Sequence, residues 1–213
     1  MLIFLVRHAE STWNRLKKIQ GQKDPPLSPY GRKEANLVAK RFKGLSFEAI
    51  YSSPLKRALE TARIIAGKKA KIQVEQDLRE IALGDWEGKS LSQIRKKFGE
   101  AFDRWAIRPT RVPIPNGEDF KSFVRRVRKT LRSIEHRHKD GNVLVVCHGG
   151  VISTYVTFVL NLTPDDVWCV TVKNGSVTIV EVKDGMRRLV TFNDISHLIS
   201  LKEIGKAEVT HVD

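Results

Sequence analysis

The chain has 213 residues, of which 41% are hydrophobic and 29% are charged, as in ordinary globular proteins of one domain. Lys and Arg total 38 against 24 acidic residues, so the net charge is +14 and nucleic-acid binding has to be considered. The basic residues are scattered, without a basic tail or interleaved aromatic residues, so we expect no specific nucleic-acid site.

The cysteines and the apolar segments exclude several further classes. Cys147 and Cys169 both lie in apolar runs, so we interpret them as small buried residues and expect neither a disulfide nor a zinc site. No segment has the length of a membrane span, and the first apolar run is too short for a signal peptide. We therefore expect a cytoplasmic protein that does not bind membranes.

The chain begins with the pattern of a buried strand. Residues 2–6 are apolar, and Arg7 and His8 follow at once. This order predicts that both side chains lie at the C-terminal edge of a sheet, where open α/β sheets bind ligands. An Arg there supplies a fixed positive charge, and an imidazole can attack or transfer a proton.

Two Ser-Pro pairs predict helix starts. Ser28 and Pro29 are typical of an N-cap and first helical residue, with a helix to about residue 41. After a short strand at 49–52, Ser53 and Pro54 repeat this pattern for a helix to about residue 66. Arg57 then lies one turn into that helix, near a strand end, where its guanidinium can bind a phosphate bidentately.

The segment 78–88 holds two candidate acids, Glu80 and Glu87. A carboxyl group near the leaving oxygen of a phosphate can act as a general acid, and the spacing alone does not separate the two. A capping-box pattern at 90–93 predicts the next helix start. From 99 to 117 the periodicity is lost and three prolines occur, so we interpret this stretch as an insertion, or lid, over the site.

A second strand-and-histidine unit follows the clearest helix pattern, at 118–139. Residues 142–147 form an apolar run, and His148, Gly149 and Gly150 come next, before a helix to about residue 160. The glycines allow close backbone approach, and the helix start offers free N–H groups to an anion. Two parallel strands that each end in a histidine predict that His8 and His148 meet at one edge of the sheet.

The alternation of strands and helices predicts one α/β domain over residues 1–213, with a mainly parallel central sheet and helices on both faces. Residues 177–182 and 188–192 flank a turn and predict a C-terminal hairpin.

Several segments together resemble the histidine phosphatase superfamily, also called the phosphoglycerate mutase-like family. They occur in family order and are Arg7-His8-Ala9-Glu10-Ser11-Thr12-Trp13-Asn14, 19–24 with 26–31, 52–62, 78–80 with 84–88, and His148-Gly149-Gly150. Asn193, Asp194, His197 and Leu198 add a weaker match. The departure in the first signature is Ala9, where the family usually has Gly, and its methyl group is expected to crowd the backbone near the phosphate only slightly.

The resemblance implies a two-step phosphoryl transfer without metal or cofactor, on a small phosphorylated metabolite. His8 would attack phosphorus and become a phosphohistidine, and Glu80 would protonate the leaving alcohol and then activate water. The remaining implied site residues, which hold the phosphoryl group, are Arg7, Arg57, His148, Asn14, Gln20, Gly21 and the Gly149 N–H. A homodimer is left open.

Three functions remain open within this resemblance. The compact stretch 99–117, and the similarity of 115–119 to the phosphatase branch that includes α-ribazole phosphatase, favour a phosphatase over a mutase. Phosphoserine, α-ribazole phosphate and sugar phosphates are all candidate substrates. The +14 charge and Ala9 would also suit an inactive polyanion-binding module. A cysteine-based phosphatase is excluded, because Ser153 and Gly175 stand six positions after the two cysteines, where an Arg is required.

Overall fold

Six strands form the central sheet of the computed structural model, which describes residues 1–67 and 69–201. They are β1 (Leu2–Arg7), β2 (Ala49–Ser52), β3 (Gln73–Val74), β4 (Asn142–Cys147), β5 (Val177–Lys183) and β6 (Met186–Asp194). Their order is β3-β2-β4-β1-β5-β6, with the first four parallel and the last two antiparallel. The mainly parallel sheet is thereby confirmed, as is the hairpin formed by β5 and β6.

Helices cover both faces of this sheet, as predicted. They are α1 (Thr12–Arg15), α2 (Pro29–Arg41), α3 (Lys56–Ala66), α4 (Leu91–Phe98), α5 (Ala101–Ile107), α6 (Phe120–Arg137) and α7 (Gly149–Val159). Successive side chains of a strand point to opposite faces, so Ile3 and Leu5 pack with α6 and α7, whereas Phe4 and Val6 pack with α2 and α3. No helix among the residues described is both long and apolar enough to cross a membrane.

The pairing of β1 with β4 determines where the two histidines lie. Arg7 is paired with Cys147 in the parallel register, and the His8 N–H donates to the Cys147 carbonyl at 2.9 Å. Both strands therefore end at the same level, and His8 and His148, the residues that follow them, lie side by side at this edge of the sheet.

The two Ser-Pro pairs behave differently. Ser28 caps α2, its hydroxyl accepting from the Gly31 N–H at 2.9 Å, as predicted. The predicted helix start at Ser53 is wrong, because α3 begins at Lys56 and its N-cap, Leu55, provides no side-chain cap. The Ser53 hydroxyl instead lies 2.7 Å from His148 Nε2. The hydroxyl that would cap the helix is therefore hydrogen-bonded to a histidine that is distant in the chain.

The stretch 99–117, which has no periodicity in the sequence, contains α5, whose only buried side chains, Phe102 and Trp105, are too few to give a periodic signal. One expectation needs correction. Cys147 is buried as expected, but Cys169 is exposed, because it ends a short 3-10 helix, Pro164–Cys169, that buries only Val167. The capping box at Ser90 is confirmed.

Candidate active site

His8 is buried at the end of β1, and its hydrogen bonds determine which nitrogen is reactive. Nδ1 lies 2.8 Å from the Ala9 carbonyl, so it carries the proton and donates it. Nε2 then holds a lone pair, which accepts from Arg57 Nε at 3.2 Å. The available nucleophile is therefore Nε2.

Ala9 does not crowd this nitrogen. Its side chain is fully buried in a small apolar cluster with Leu27 and Ala35. Its N–H donates to Thr61 Oγ1 at 3.1 Å, and the Thr61 hydroxyl donates to the Arg57 carbonyl at 2.7 Å. The methyl group is thus accommodated by packing, and Thr61 connects the start of α3 to the histidine segment.

Arg57 is 1% exposed, and backbone carbonyls fix its orientation. Nη1 donates to the Lys23 carbonyl at 2.7 Å and Nη2 to the Gly21 carbonyl at 2.8 Å. Burial lowers the pKa of the guanidinium to about 10, and Glu80 and Asp24 oppose the shift, so Arg57 is still a cation at neutral pH. Gly21 therefore contributes a carbonyl that orients Arg57. A direct contact of Gly21 with phosphate is still only a prediction from the sequence.

Arg7 and Gly149 lie against each other on the neighbouring strand ends. Arg7 Nη1 donates to the Val172 carbonyl at 2.5 Å. A Cβ added to Gly149 would stand 3.6 Å from Arg7 Nε, so the guanidinium lies beside the first turn of α7. The cation and the N–H groups of that helix start both suit an anion.

His148 lies beside His8. Its ring centroid lies 5.2 Å from that of His8, and Nε2 lies 2.7 Å from Ser53 Oγ. Burial lowers the pKa of both imidazoles well below the usual 6.5, and Arg57 and Arg7 lower them further. Both histidines are therefore neutral near pH 7, which leaves Nε2 of His8 unprotonated for attack.

The structure separates the two candidate acids. The Glu80 carboxylate accepts from the Ile81 N–H and the Gly150 N–H, both at 3.0 Å, so it lies beside the start of α7. Glu87 Oε1 accepts from the N–H groups of Gln22 and Leu83, both at 2.9 Å, and so is occupied in joining two loops. The position of Glu80 suits an acid at the phosphate pocket, whereas that of Glu87 suits a structural role.

Asn14 and Gln20 are both tied to Ser11. Asn14 Oδ1 accepts from the Ser11 N–H at 3.0 Å, and the Ser11 hydroxyl lies 3.0 Å from Asn14 Oδ1 and 2.7 Å from Gln20 Oε1. Asn174, which the sequence did not single out, donates to the His8 carbonyl at 3.0 Å and to Asn14 Oδ1 at 3.3 Å. Gln20 is thus connected to the His8 carbonyl through Ser11, Asn14 and Asn174.

Sequence reasoning also missed Ser53. The Pro that follows it indicated a helix cap rather than a partner for His148. Within 1–67 and 69–201, no group of three or more His, Cys, Asp and Glu side chains is placed to hold a metal ion.

Comparison with known proteins agrees with this geometry. The family model of the histidine phosphatase superfamily, branch 1, matches residues 3–195. A metal-independent phosphoserine phosphatase of Arabidopsis thaliana is 34% identical, with 93% of this chain and 84% of the relative covered. The solved structure of YhfR from Bacillus stearothermophilus has a TM-score of 0.87 and 36% identity, with 92% of this chain and 98% of that chain covered.

A second solved structure, a mutant of phosphoserine phosphatase from Entamoeba histolytica in complex with phosphoserine, has a TM-score of 0.82 and 30% identity. The superposition covers 92% of this chain and 98% of the chain in that structure. The family model spans both histidines, both arginines and Glu80, which the fold brings to one edge of the sheet. This chain belongs to branch 1 of the histidine phosphatase superfamily.

Proposed function

We propose that the chain is a phosphatase that hydrolyses small phosphomonoesters without a metal ion, through a phosphohistidine on His8. The observation that carries the proposal is the hydrogen bonding of His8, whose Nδ1 is held by the Ala9 carbonyl while Nε2 lies beside Arg57. A neutral imidazole with one lone pair facing a cation suits in-line attack on a phosphate.

In the first step, His8 Nε2 attacks phosphorus, the N–P bond forms, and the bond from phosphorus to the ester oxygen breaks. Glu80 donates its proton to that oxygen, which leaves as the alcohol. Arg7, Arg57 and the Gly149 N–H offset the charge on the phosphoryl oxygens, and His148 donates a hydrogen bond to them.

In the second step, water attacks the phosphohistidine and the Glu80 carboxylate takes its proton. The N–P bond breaks, its electron pair returns to Nε2, and inorganic phosphate leaves. His8 is again neutral and Glu80 is again protonated, so the residues end in the state in which they began.

The substrate class is a small ester of an alcohol. Phosphoserine comes first, because the relatives described above include phosphoserine phosphatases. α-Ribazole phosphate and sugar phosphates follow. Phosphoglycerate mutase-type transfer is the alternative, in which a second phosphorylated substrate replaces water.

We also propose that the protein is cytoplasmic, where phosphorylated metabolites are found, and forms a homodimer. The support for a dimer is β6, an edge strand of the sheet on which Met186 and Val190 are 57% and 58% exposed. Exposed edge strands with apolar side chains tend to pair with another chain. The predicted lid at 99–117 stays part of this proposal.

The test is a panel of phosphomonoesters ranked by kcat/KM, with p-nitrophenyl phosphate included, in the presence of a chelator. Hydrolysis that is unchanged by the chelator is the expected result. Loss of all turnover in the chelator would contradict metal independence. Absence of turnover on every ester would favour the inactive module, and phosphate transfer faster than hydrolysis would favour the mutase.

A further inference from the structure

Arg126, in the middle of α6, uses all five N–H donors of its guanidinium. Nη1 donates to the carbonyls of Asp77 and Arg79 at 2.8 and 2.7 Å, and Nη2 donates to the Glu80 carbonyl at 3.0 Å. Nε and Nη2 also donate to the two carboxylate oxygens of Glu118 at 2.7 and 2.8 Å. An Arg has five such donors and no more, so each of them has an acceptor.

Three of these acceptors are backbone carbonyls of the segment 77–80, which ends at the candidate acid. This segment leaves a 3-10 helix, Gln76–Leu78, and becomes extended at Arg79, so its carbonyls have no regular ladder to join. Gln22 Nε2 adds a second donor to the Glu80 carbonyl at 3.0 Å. The backbone of Glu80 is thus held by side chains from two other parts of the chain.

Glu118 extends this support to the residues beyond Glu80. Its N–H donates to the Ala82 carbonyl at 2.8 Å, and its Oε2 accepts from the Ala82 N–H at 3.3 Å. Arg126 therefore binds the segment before Glu80 while its ion-pair partner binds the segment after it. The Arg126 side chain is 14% exposed and stands 4.9 Å from the Phe123 ring, so its position is fixed by packing as well.

We propose that Arg126 is a positioning residue that holds the Glu80 carboxyl group where it can donate its proton to the leaving alcohol. The inference rests on the proposed phosphatase function and deepens it. Glu80 Oε2 accepts from the Gly150 N–H at 3.0 Å, beside the residues expected to bind phosphate, and the bonds to its backbone fix the point from which the side chain reaches there. None of the five hydrogen bonds of Arg126 goes to His8, Arg7, Arg57 or His148.

A positioning role has a signature that simple loss of stability lacks. A phenolate leaves without much help from an acid, whereas an alkoxide needs a proton. Disorder at Glu80 should therefore slow the transfer of the phosphoryl group to His8 from alkyl phosphates and leave the transfer from aryl phosphates almost unchanged. This first step determines kcat/KM, whereas the later attack of water is the same for both esters. Lys cannot replace Arg126 fully, because one ammonium has three donors and lacks the planar fork that reaches five acceptors.

The experiment compares Arg126→Met, Arg126→Lys and the matched control Arg125→Met on phosphoserine and p-nitrophenyl phosphate. We expect Arg126→Met to lower kcat/KM on phosphoserine by about tenfold or more, and on the aryl ester by less than about threefold. The kcat/KM of Arg126→Lys on phosphoserine should lie between the values of the wild type and Arg126→Met. Arg125 is exposed on the same helix, and at an ionic strength that screens surface charges its variant should match the wild type on both esters.

A double-mutant cycle separates positioning from general damage. In a Glu80→Gln background there is no acid left to position, so adding Arg126→Met should cause little further loss on phosphoserine. Equal losses on both esters, or losses that add in the double variant, would overturn the inference while leaving the phosphatase intact. A wild type that is inactive on both esters would overturn the proposed function instead. If circular dichroism shows that Arg126→Met is unfolded, Arg126→Lys and Glu118→Gln give the same comparison.

Discussion

The two histidines are neutral because they are buried among cations, and this has a consequence for stability. Burial, followed by Arg57, lowers the pKa of His8 and His148 in the folded state below the usual 6.5, which the unfolded chain keeps. Above that pH both states bind the same protons, and below it the unfolded chain binds more. The free energy of unfolding should therefore fall as the pH drops below 6.5, by at most about 1.4 kcal/mol per pH unit for each histidine.

Urea denaturation from about pH 7.5 to about pH 5 measures this dependence. His8→Gln and His148→Gln should each flatten the acid side of the curve, because each removes one proton that only the unfolded chain binds. A curve that keeps its slope in both variants would assign the dependence to other groups.

His8→Ala should abolish turnover while the circular dichroism spectrum is unchanged, because His8 is the nucleophile and lies at the end of a strand. In the wild type, a labelled phosphate substrate should give an enzyme intermediate that alkali preserves and acid destroys, as a phosphoramidate does. A label that survives acid and not alkali would indicate a carboxyl or serine ester. A variant with substantial activity would remove the nucleophilic role.

Glu80→Gln and Glu87→Gln form a matched pair at the same loop. Glu80→Gln should lower kcat/KM far more on an alkyl than on an aryl phosphate, since only the alkoxide needs a proton in the first step. Glu87→Gln weakens an acceptor of two backbone N–H groups, so its effect should be a loss of stability of about 1–3 kcal/mol, with both esters affected alike. The opposite result would reassign the acid to Glu87.

At the scale of helices and strands, the two Ser-Pro pairs give a direct comparison. Ser28→Ala removes an N-cap and should lower the free energy of unfolding by about 1 kcal/mol with little change in kcat. Ser53→Ala removes the partner of His148 and should lower kcat by about tenfold with a smaller loss of stability. Thermal melts and steady-state kinetics of both variants check this, and equal effects on kcat would show that Ser53 does not orient His148.

The same pair shows what local sequence can predict. Apolar runs and caps depend on neighbours in the chain, so β1, β4, α2 and the hairpin agree with their patterns. Ser53 has the same local pattern as Ser28, but its hydroxyl is taken by a histidine 95 residues away. Helix α5 gave no signal because it buries only two side chains, against Trp86 and Trp168 elsewhere in the chain.

For the whole molecule, the strand order was not available from the sequence, and the order is what assembles the site. Two strand-end histidines were predicted to share an edge, but only the direct pairing of β1 with β4 brings their rings within 5.2 Å. Arg126 shows the opposite case. Its neighbours in the chain give no sign of its role, because the carbonyls it binds come from 46 or more residues away.

The net charge of +14 is a property of the whole molecule that can act on anionic substrates over long distances. Lys121, Arg125, Lys129 and Arg132 lie on the exposed side of α6, three or four residues apart, where like charges repel. If this basic surface steers phosphate esters to the site, higher ionic strength should lower kcat/KM severalfold with little change in kcat. Arg7 and Arg57 are buried and so are screened less than the surface cations.

The measurement is kcat and KM across the range in which the Debye length shrinks from about 30 Å to about 8 Å. The double variant Arg125→Glu with Lys129→Glu should lower kcat/KM at low salt, flatten its salt dependence and leave kcat unchanged, since capture alone depends on the long-range field. A wild-type profile that is flat in salt would show that these cations serve solubility and helix pairing, and that phosphate reaches the pocket by unassisted diffusion.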